Sequence, residues 1–176
     1  GSSCEATLTR TVSPETVTLG DLVTVTLRFD AKNCPELESK PNPLHIVYAI
    51  DVSGSMAGQP LTDTLEAVRQ GLAGLDLIGH PSTEVGIVAF NDQVTTRCQL
   101  SNSEAALVSC LRTITAFGGS QIEVGILAGL DILAEGRQGL GQDVTPNEVM
   151  VLLSQGQNRL GCEPMKAAAR KAKGQG

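Results

Sequence analysis

The sequence predicts an α/β fold: a doubly wound, mostly parallel sheet with one antiparallel edge strand, preceded by a β-hairpin. From residue 44 onward, near-continuous apolar strands alternate with amphipathic helices, which is typical of a parallel sheet covered on both faces. The connection at residues 91–93 is too short for a parallel crossover, so one edge strand must be antiparallel. Before residue 34, polar and apolar residues alternate with many Thr and Val, which predicts half-buried strands.

The N-terminal segment, residues 1–43, is predicted to form a β-hairpin followed by a linker. Its strands are residues 5–12 and 23–30, and the connector between them is rich in turn-forming residues. Residues 33–43 contain three prolines, which indicates a linker. Two strands cannot bury a core, so the hairpin should pack on something else.

Residues 44–176 are predicted to form the main domain, with the order β-α-β-β-α-α-β-α. Pro60 suits the first turn of the first helix, and Ser101 or Ser103 can cap the second. The predicted strands are 44–50, 84–90, 94–100 and 146–154, and the predicted helices are 59–75, 101–114, 121–136 and 163–174.

Composition argues against several classes of function. The formal charge is −6 with a pI near 4.9, and no basic cluster precedes the last dozen residues, so neither nucleic acid nor an anionic membrane surface is an expected partner. No apolar run reaches 18 residues, so no transmembrane helix is predicted. The chain carries no G-x-S-x-G, P-loop or G-x-G-x-x-G motif, and we expect no enzymatic activity.

The five cysteines include no C-x-x-C pair, which argues against zinc-ribbon and thioredoxin-like sites. The spacing suggests two local disulfides, Cys4–Cys34 around the hairpin and Cys98–Cys110 between a strand and the next helix. The alternative is that these are small buried thiols. Cys162 would remain unpaired, and the count favours an oxidising, extracytoplasmic setting.

Three predicted loops meet at the carboxyl ends of the strands, where ligands bind in such folds. The loops are residues 51–55, residues 118–120 and residues 154–156, and they offer one carboxylate, several hydroxyls and one amide. Oxygen ligands without thiolate or imidazole suit Mg²⁺, Mn²⁺ or Ca²⁺. In an extended loop Ser53 and Ser55 would point the same way and could present both hydroxyls to one ion.

A structural interpretation of the same residues is also open. Asp51, Ser53 and Ser55 could form a strand-to-helix turn with capping side chains. Ser120 could be a turn residue. Asp92, in the short connection between two strands, is interpreted as a turn and surface residue.

The motif DVSGSM, residues 51–56, follows a buried strand and resembles the D-x-S-x-S motif of the von Willebrand factor type A family, also called integrin I-like domains. GGS at 118–120 stands where that family has a glycine and a threonine, and VLLSQGQN at 151–158 stands where it has an apolar strand ending in T-D-G. The resemblance covers residues 44–176 and is of the kind found in bacterial surface and secreted proteins. It implies a Rossmann-like sheet.

The resemblance further implies a metal-ion-dependent adhesion site. Ser53 and Ser55 would bind the ion through their hydroxyls, Asp51 would act mainly through water, and Ser120 would supply the hydroxyl of the family's threonine. The ion would keep one position open for a carboxylate of a protein ligand.

Two departures from the family pattern matter. Gln155 stands in place of the family's second aspartate; as an amide it could accept a hydrogen bond from a coordinating water, but it removes one negative charge, so we expect weaker ion binding. The family adds two further strands and helices after the last helix found here, so the resemblance implies a domain lacking its last strands. The hairpin lies outside the family and resembles strands of β-sandwich modules in bacterial surface proteins.

The sequence thus predicts an extracellular or cell-surface module that binds a protein ligand through a divalent ion. One alternative is a structural or assembly domain whose site has lost its metal because of Gln155. Another is an intracellular accessory subunit built on the same fold, against which the cysteines and the hairpin both count.

Overall fold

The computed structural model describes residues 5–13, 24–32, 42–155 and 162–174. The chain divides into two compact units, Gly1–Lys40 and Pro41–Gly176. Among the described residues, none of the helices combines the length and the apolar character needed to cross a bilayer.

The N-terminal unit contains the predicted β-hairpin. Its strands, β1 (Glu5–Ser13) and β2 (Thr24–Lys32), pair antiparallel along their whole length. Arg10 pairs with Leu27, so Leu8 and Leu27 lie on the same face, and they are 67% and 65% exposed.

The second unit follows the predicted order of elements, with a single 3₁₀ turn after the first strand. Its strands and helices are β3 (Leu44–Asp51), α1 (Gln59–Gly74), β4 (Thr83–Phe90), β5 (Val94–Ser101), α2 (Glu104–Leu111), α3 (Ile122–Gln138), β6 (Asn147–Leu153) and α4 (Cys162–Lys173). Pro60 lies in the first turn of α1, and Ser103 is the residue that caps α2, accepting a hydrogen bond from the amide of Ala106.

The four strands of this unit form a sheet in the order β5-β4-β3-β6. β3 pairs in parallel with β4 and β6, whereas β5 pairs antiparallel with β4. The predicted α/β fold and its antiparallel edge strand are confirmed. Since β3 lies between two parallel neighbours, its carboxyl end is at the centre of the sheet edge where ligands bind in such folds.

Helices cover both faces of the sheet, as expected for a doubly wound fold. Ile46 and Ile50 of β3 pack in a core cluster with α1 and α2, and Val47 and Ala49 pack in a second cluster with α3 and α4. The two clusters follow from the two-residue period of the strand, which sends alternate side chains to opposite faces. Both are largely aliphatic, because the chain has three Phe, one Tyr and no Trp.

One predicted disulfide is present. Cys98 of β5 is bonded to Cys110 of α2, with their Cα atoms 6.6 Å apart. The bond therefore ties the antiparallel edge strand to the helix that covers it. Cys162 is an exposed free thiol. The predicted Cys4–Cys34 bond falls outside the described residues.

Replacing both Cys98 and Cys110 with alanine is expected to lower the free energy of unfolding by about 2–3 kcal/mol, since the unfolded chain regains the freedom of the loop. That loop separates the two cysteines by 12 residues. Urea denaturation followed by circular dichroism measures the change. Cys162→Ala is the matched control and should leave stability within about 0.5 kcal/mol of the wild type. A double variant as stable as the non-reduced wild type would contradict the expectation.

The start of α3 is fixed against the sheet by a close contact. Gly125 lies so near Phe90 that an added Cβ would overlap the ring. Gly125→Ala is therefore expected to cost about 1–3 kcal/mol of stability through overpacking. At Gly74, near the end of α1, an added Cβ meets nothing within 4 Å, and Gly74→Ala should gain up to about 1 kcal/mol from helix propensity. Equal denaturation midpoints for the two variants would refute this description of the contact.

Candidate metal centre

Three chain segments meet at the carboxyl edge of the sheet. Asp51 ends β3, Ser120 lies just before α3, and Ser154 follows β6. Asp51 is 2% exposed and Ser120 is 8% exposed. The parallel pairing of β3 with β6 places Asp51 and Ser154 side by side, although 103 residues separate them in sequence.

The carboxylate of Asp51 is the centre of this cluster. Its Oδ1 accepts a hydrogen bond from the backbone amide of Ser53 at 2.8 Å. Its Oδ2 accepts one from the hydroxyl of Ser120 at 2.9 Å and another from the hydroxyl of Ser154 at 2.7 Å. Asp51 thus joins all three segments, and three donors compensate for the burial of its charge.

Ser53 and Ser55 bring their hydroxyl oxygens to 3.1 Å from each other. An extended loop was expected from the sequence to point both hydroxyls the same way. The backbone instead forms a 3₁₀ turn over Gly54–Met56, after an extended Ser53, and the amide of Met56 bonds to the carbonyl of Ser53. The turn places the side chain of Met56 in the core and leaves Ser55 exposed.

The loop before α3 is joined to the Ser53–Ser55 segment by its backbone. The amide of Gly54 donates to the carbonyl of Gly118 at 2.9 Å, and the amide of Phe117 donates to the carbonyl of Val52 at 2.8 Å. Gly118 has φ +78°, a conformation that glycine adopts without strain. These bonds bring Ser120 to Asp51.

Of the five predicted site residues, the structure brings four together by hydrogen bonds: Asp51, Ser53, Ser55 and Ser120. Gln155 lies two residues after the end of β6, and its side chain is exposed. The residue after β6 that contacts Asp51 is Ser154. Ser154 was predicted to lie at the rim but not to be a ligand.

The donor set of this cluster fits a hard divalent cation. The hydroxyls of Ser120 and Ser154 donate hydrogen bonds to Asp51. The lone pairs of their oxygens therefore remain available to a further partner. In the described ranges, no group of three or more His, Cys, Asp or Glu side chains is arranged to hold a metal. An ion here would therefore be held by hydroxyls and a single carboxylate, a set that suits Mg²⁺, Mn²⁺ or Ca²⁺.

Asp92 was predicted to be a turn residue, and Asn91 was not predicted to take part in the site. Asp92 does lie in the turn between β4 and β5, but it also accepts a hydrogen bond from the amide of Gly119 at 2.8 Å. Asn91 is 2% exposed and donates from Nδ2 to the carbonyl of Phe117 at 2.9 Å. The signal in the sequence was their position: both follow a buried parallel strand at the same sheet edge as Asp51.

The proteins similar to this chain include a heavy chain of the inter-alpha-trypsin inhibitor and a pili tip protein. The inter-alpha-trypsin inhibitor heavy chain H1 of Bos taurus is 26% identical over 119 residues, which are 64% of this chain and 13% of the bovine protein. The vWF domain of the type V pili tip protein Mfa5 from Porphyromonas gingivalis has a TM-score of 0.58 at 18% identity, covering 68% of this chain and 40% of that one. The chain spans between 13% and 22% of the length of three curated relatives.

One of the similar structures matches part of the N-terminal unit as well. The pilus adhesin SpaC from Lactobacillus rhamnosus GG, in its open conformation, has a TM-score of 0.56 at 20% identity, covering 88% of this chain and 19% of that one. Residues 41–176 are 136 of the 176 residues, about 77% of the chain, so this match includes part of the first unit.

The family assignment depends on the second unit. The sequence model of the von Willebrand factor type A domain matches residues 45–176, well over half of the chain. The match spans the sheet, its helices and the cluster formed by Asp51, Ser53, Ser55, Ser120 and Ser154. This chain belongs to the von Willebrand factor type A domain family.

Proposed function

We propose that the chain is a protein-binding module of a cell-surface or secreted protein, and that it engages its ligand through a divalent cation at the cluster around Asp51. The observation that carries this proposal is the convergence of Asp51, Ser53, Ser55 and Ser120 at one sheet edge. The proposed role is binding rather than catalysis.

The residues of the cluster would have different roles in binding the ion. Ser53, Ser55 and Ser120 would hold the ion through hydroxyl oxygens. Asp51, which accepts hydrogen bonds from the amide of Ser53 and the hydroxyl of Ser120, would supply the negative charge. A bound divalent cation would offer a Lewis-acidic position that a ligand carboxylate can fill. Because Gln155 adds no charge, one carboxylate would face a doubly charged ion, and the remaining positive charge favours an acidic protein ligand.

The proposed location outside the cytoplasm has two supports. The Cys98–Cys110 disulfide is typical of proteins in oxidising compartments. Two of the similar structures come from pilus proteins, the tip protein Mfa5 and the adhesin SpaC. Together they favour the surface or secreted setting over an intracellular accessory subunit.

A metal-free structural or assembly domain is the second candidate function. The exposed, neutral Gln155 at the end of β6 favours it, since affinity for Mg²⁺ or Ca²⁺ falls with the number of charged ligands. In that case a partner would bind to other surfaces and would be indifferent to chelators.

Binding to acidic peptides distinguishes the two functions. The probe is a fluorescent pool of short peptides that carry one Asp among random neutral residues, compared with the same pool carrying Asn. The proposed function predicts that the Asp pool binds in millimolar Mg²⁺, that EDTA releases it, and that the Asn pool does not bind. Equal binding of both pools, or binding that survives EDTA, would support the metal-free domain.

A further inference from the structure

The loop that carries Ser120 is tied to the β4–β5 turn at alternate residues. We call residues 117–121 the glycine loop and residues 91–93 the β4–β5 turn. Three hydrogen bonds join them: Asn91 Nδ2 to Phe117 O at 2.9 Å, Gly119 N to Asp92 Oδ2 at 2.8 Å and Gln121 N to Asn91 O at 3.0 Å. Ser120 lies between two of these bonds, so its backbone has little freedom to move.

The two glycines of the loop make this close approach possible. An added Cβ at Gly118 would come within 2.9 Å of Asn91 Nδ2, and one at Gly119 would overlap the carboxylate of Asp92. Real Cβ atoms essentially never approach so closely. The glycine pair is therefore explained by contact with the β4–β5 turn as well as by the positive φ of Gly118.

The turn that holds the glycine loop is itself internally bonded. The amide of Asn91 donates to the carbonyl of Gln93 at 2.9 Å, and the amide of Gln93 donates to Oδ1 of Asn91 at 3.1 Å. Asn91 is also buried. The turn thus provides a fixed support against which the glycine loop is placed.

We infer that Asp92 is a positioning residue of the candidate cation site. Its carboxylate holds the amide of Gly119, so that the hydroxyl of the next residue, Ser120, lies 2.9 Å from Asp51. The inference rests on the proposed function for its ion, but the hydrogen bond to Gly119 can be tested without one. Asp92 acts through Ser120 and is not itself proposed as a ligand.

The test compares Asp92→Ala with Asp92→Asn, because an asparagine oxygen can still accept the amide of Gly119. Mn²⁺ affinity is measured by calorimetry, and hydrogen exchange at the Gly119 amide is measured by NMR without ion. We expect Asp92→Ala to weaken Mn²⁺ binding about 10- to 100-fold, as loss of an outer-shell partner does, and to speed exchange at Gly119. Asp92→Asn should restore most of both.

Two further variants test the same role independently of the Asp92 substitutions. Gly119→Ala leaves Asp92 in place but should displace the loop, so we expect a loss of affinity similar to that of Asp92→Ala. Asp63→Ala removes an exposed carboxylate on α1 that is bonded to Gln59, and it should change neither readout.

Each outcome decides the inference. If Asp92→Ala binds Mn²⁺ like the wild type, the positioning role is wrong. If Asp92→Asn is as weak as Asp92→Ala while Gly119 stays protected, charge rather than position is responsible, which also overturns it. If the wild type binds no Mn²⁺, the proposed function fails, and exchange at Gly119 alone then decides whether Asp92 holds the loop.

Discussion

Replacing Asp51 with alanine is expected to weaken Mg²⁺ or Mn²⁺ binding by more than about 100-fold, because the site loses its one carboxylate and the group that orients its hydroxyls. Asp51 accepts hydrogen bonds from Ser53, Ser120 and Ser154, so all three would lose their common partner. Calorimetric titration of metal-stripped protein measures the effect.

The same substitution should also lower the free energy of unfolding, by about 1–3 kcal/mol, since buried donors would be left without an acceptor. Asp63→Ala is the control, because it removes the same charge from the exposed face of α1 and should alter neither ion binding nor stability appreciably. Undiminished ion binding by Asp51→Ala would place the ion elsewhere on the protein.

Introducing a carboxylate at the end of β6 with Gln155→Asp is expected to raise Mg²⁺ affinity by about tenfold or more, because affinity for hard cations grows with the number of charged ligands. Gln155 directly follows Ser154, whose hydroxyl is already bonded to Asp51, so an aspartate there would lie beside the cluster. Titration of the variant beside the wild type measures the gain.

The control for Gln155→Asp must separate a local ligand from a general change in charge. Gln142→Asp makes the same chemical change at an exposed position beyond the far end of α3. It should leave the affinity nearly unchanged at physiological salt, where distant surface charges are screened. Equal gains from both variants would mean that net charge, not the position of residue 155, controls binding.

The fold was predictable because its determinants are local in sequence. The apolar run of β3 and the helical spacing of α1 and α3 each indicate one kind of element. The short connection at residues 91–93 was enough to predict that β5 is antiparallel. Even the Cys98–Cys110 bond followed from neighbouring elements, although spacing alone left buried thiols open.

The candidate site was predictable where its residues resemble a known motif, which includes Ser120 in the GGS segment as well as the first motif. Asp51, Ser53 and Ser55 lie within five residues, and their resemblance to a known motif identified them. The contacts of Ser154 and Asp92 span 103 and 27 residues, and they depend on strand order and loop path. The 3₁₀ turn at Gly54–Met56, which buries Met56 and exposes Ser55, is not revealed by the spacing of the serines.

The N-terminal hairpin raises a separate question of stability. Leu8 and Leu27 share a face and are largely exposed, and two strands alone are marginally stable in water. The match to the SpaC adhesin covers 88% of the chain and so includes some residues of this unit.

The location of a bound ion can be mapped by paramagnetic broadening in the ¹H–¹⁵N spectrum of the wild type. Substoichiometric Mn²⁺ should broaden the amides of Ser53, Ser55 and Ser120 first and leave Gly139, beyond the far end of α3, sharp. Excess Mg²⁺ should restore the signals if both ions share the site. Broadening that is uniform, or that begins away from the carboxyl edge of the sheet, would show that the oxygen cluster around Asp51 is not a metal centre.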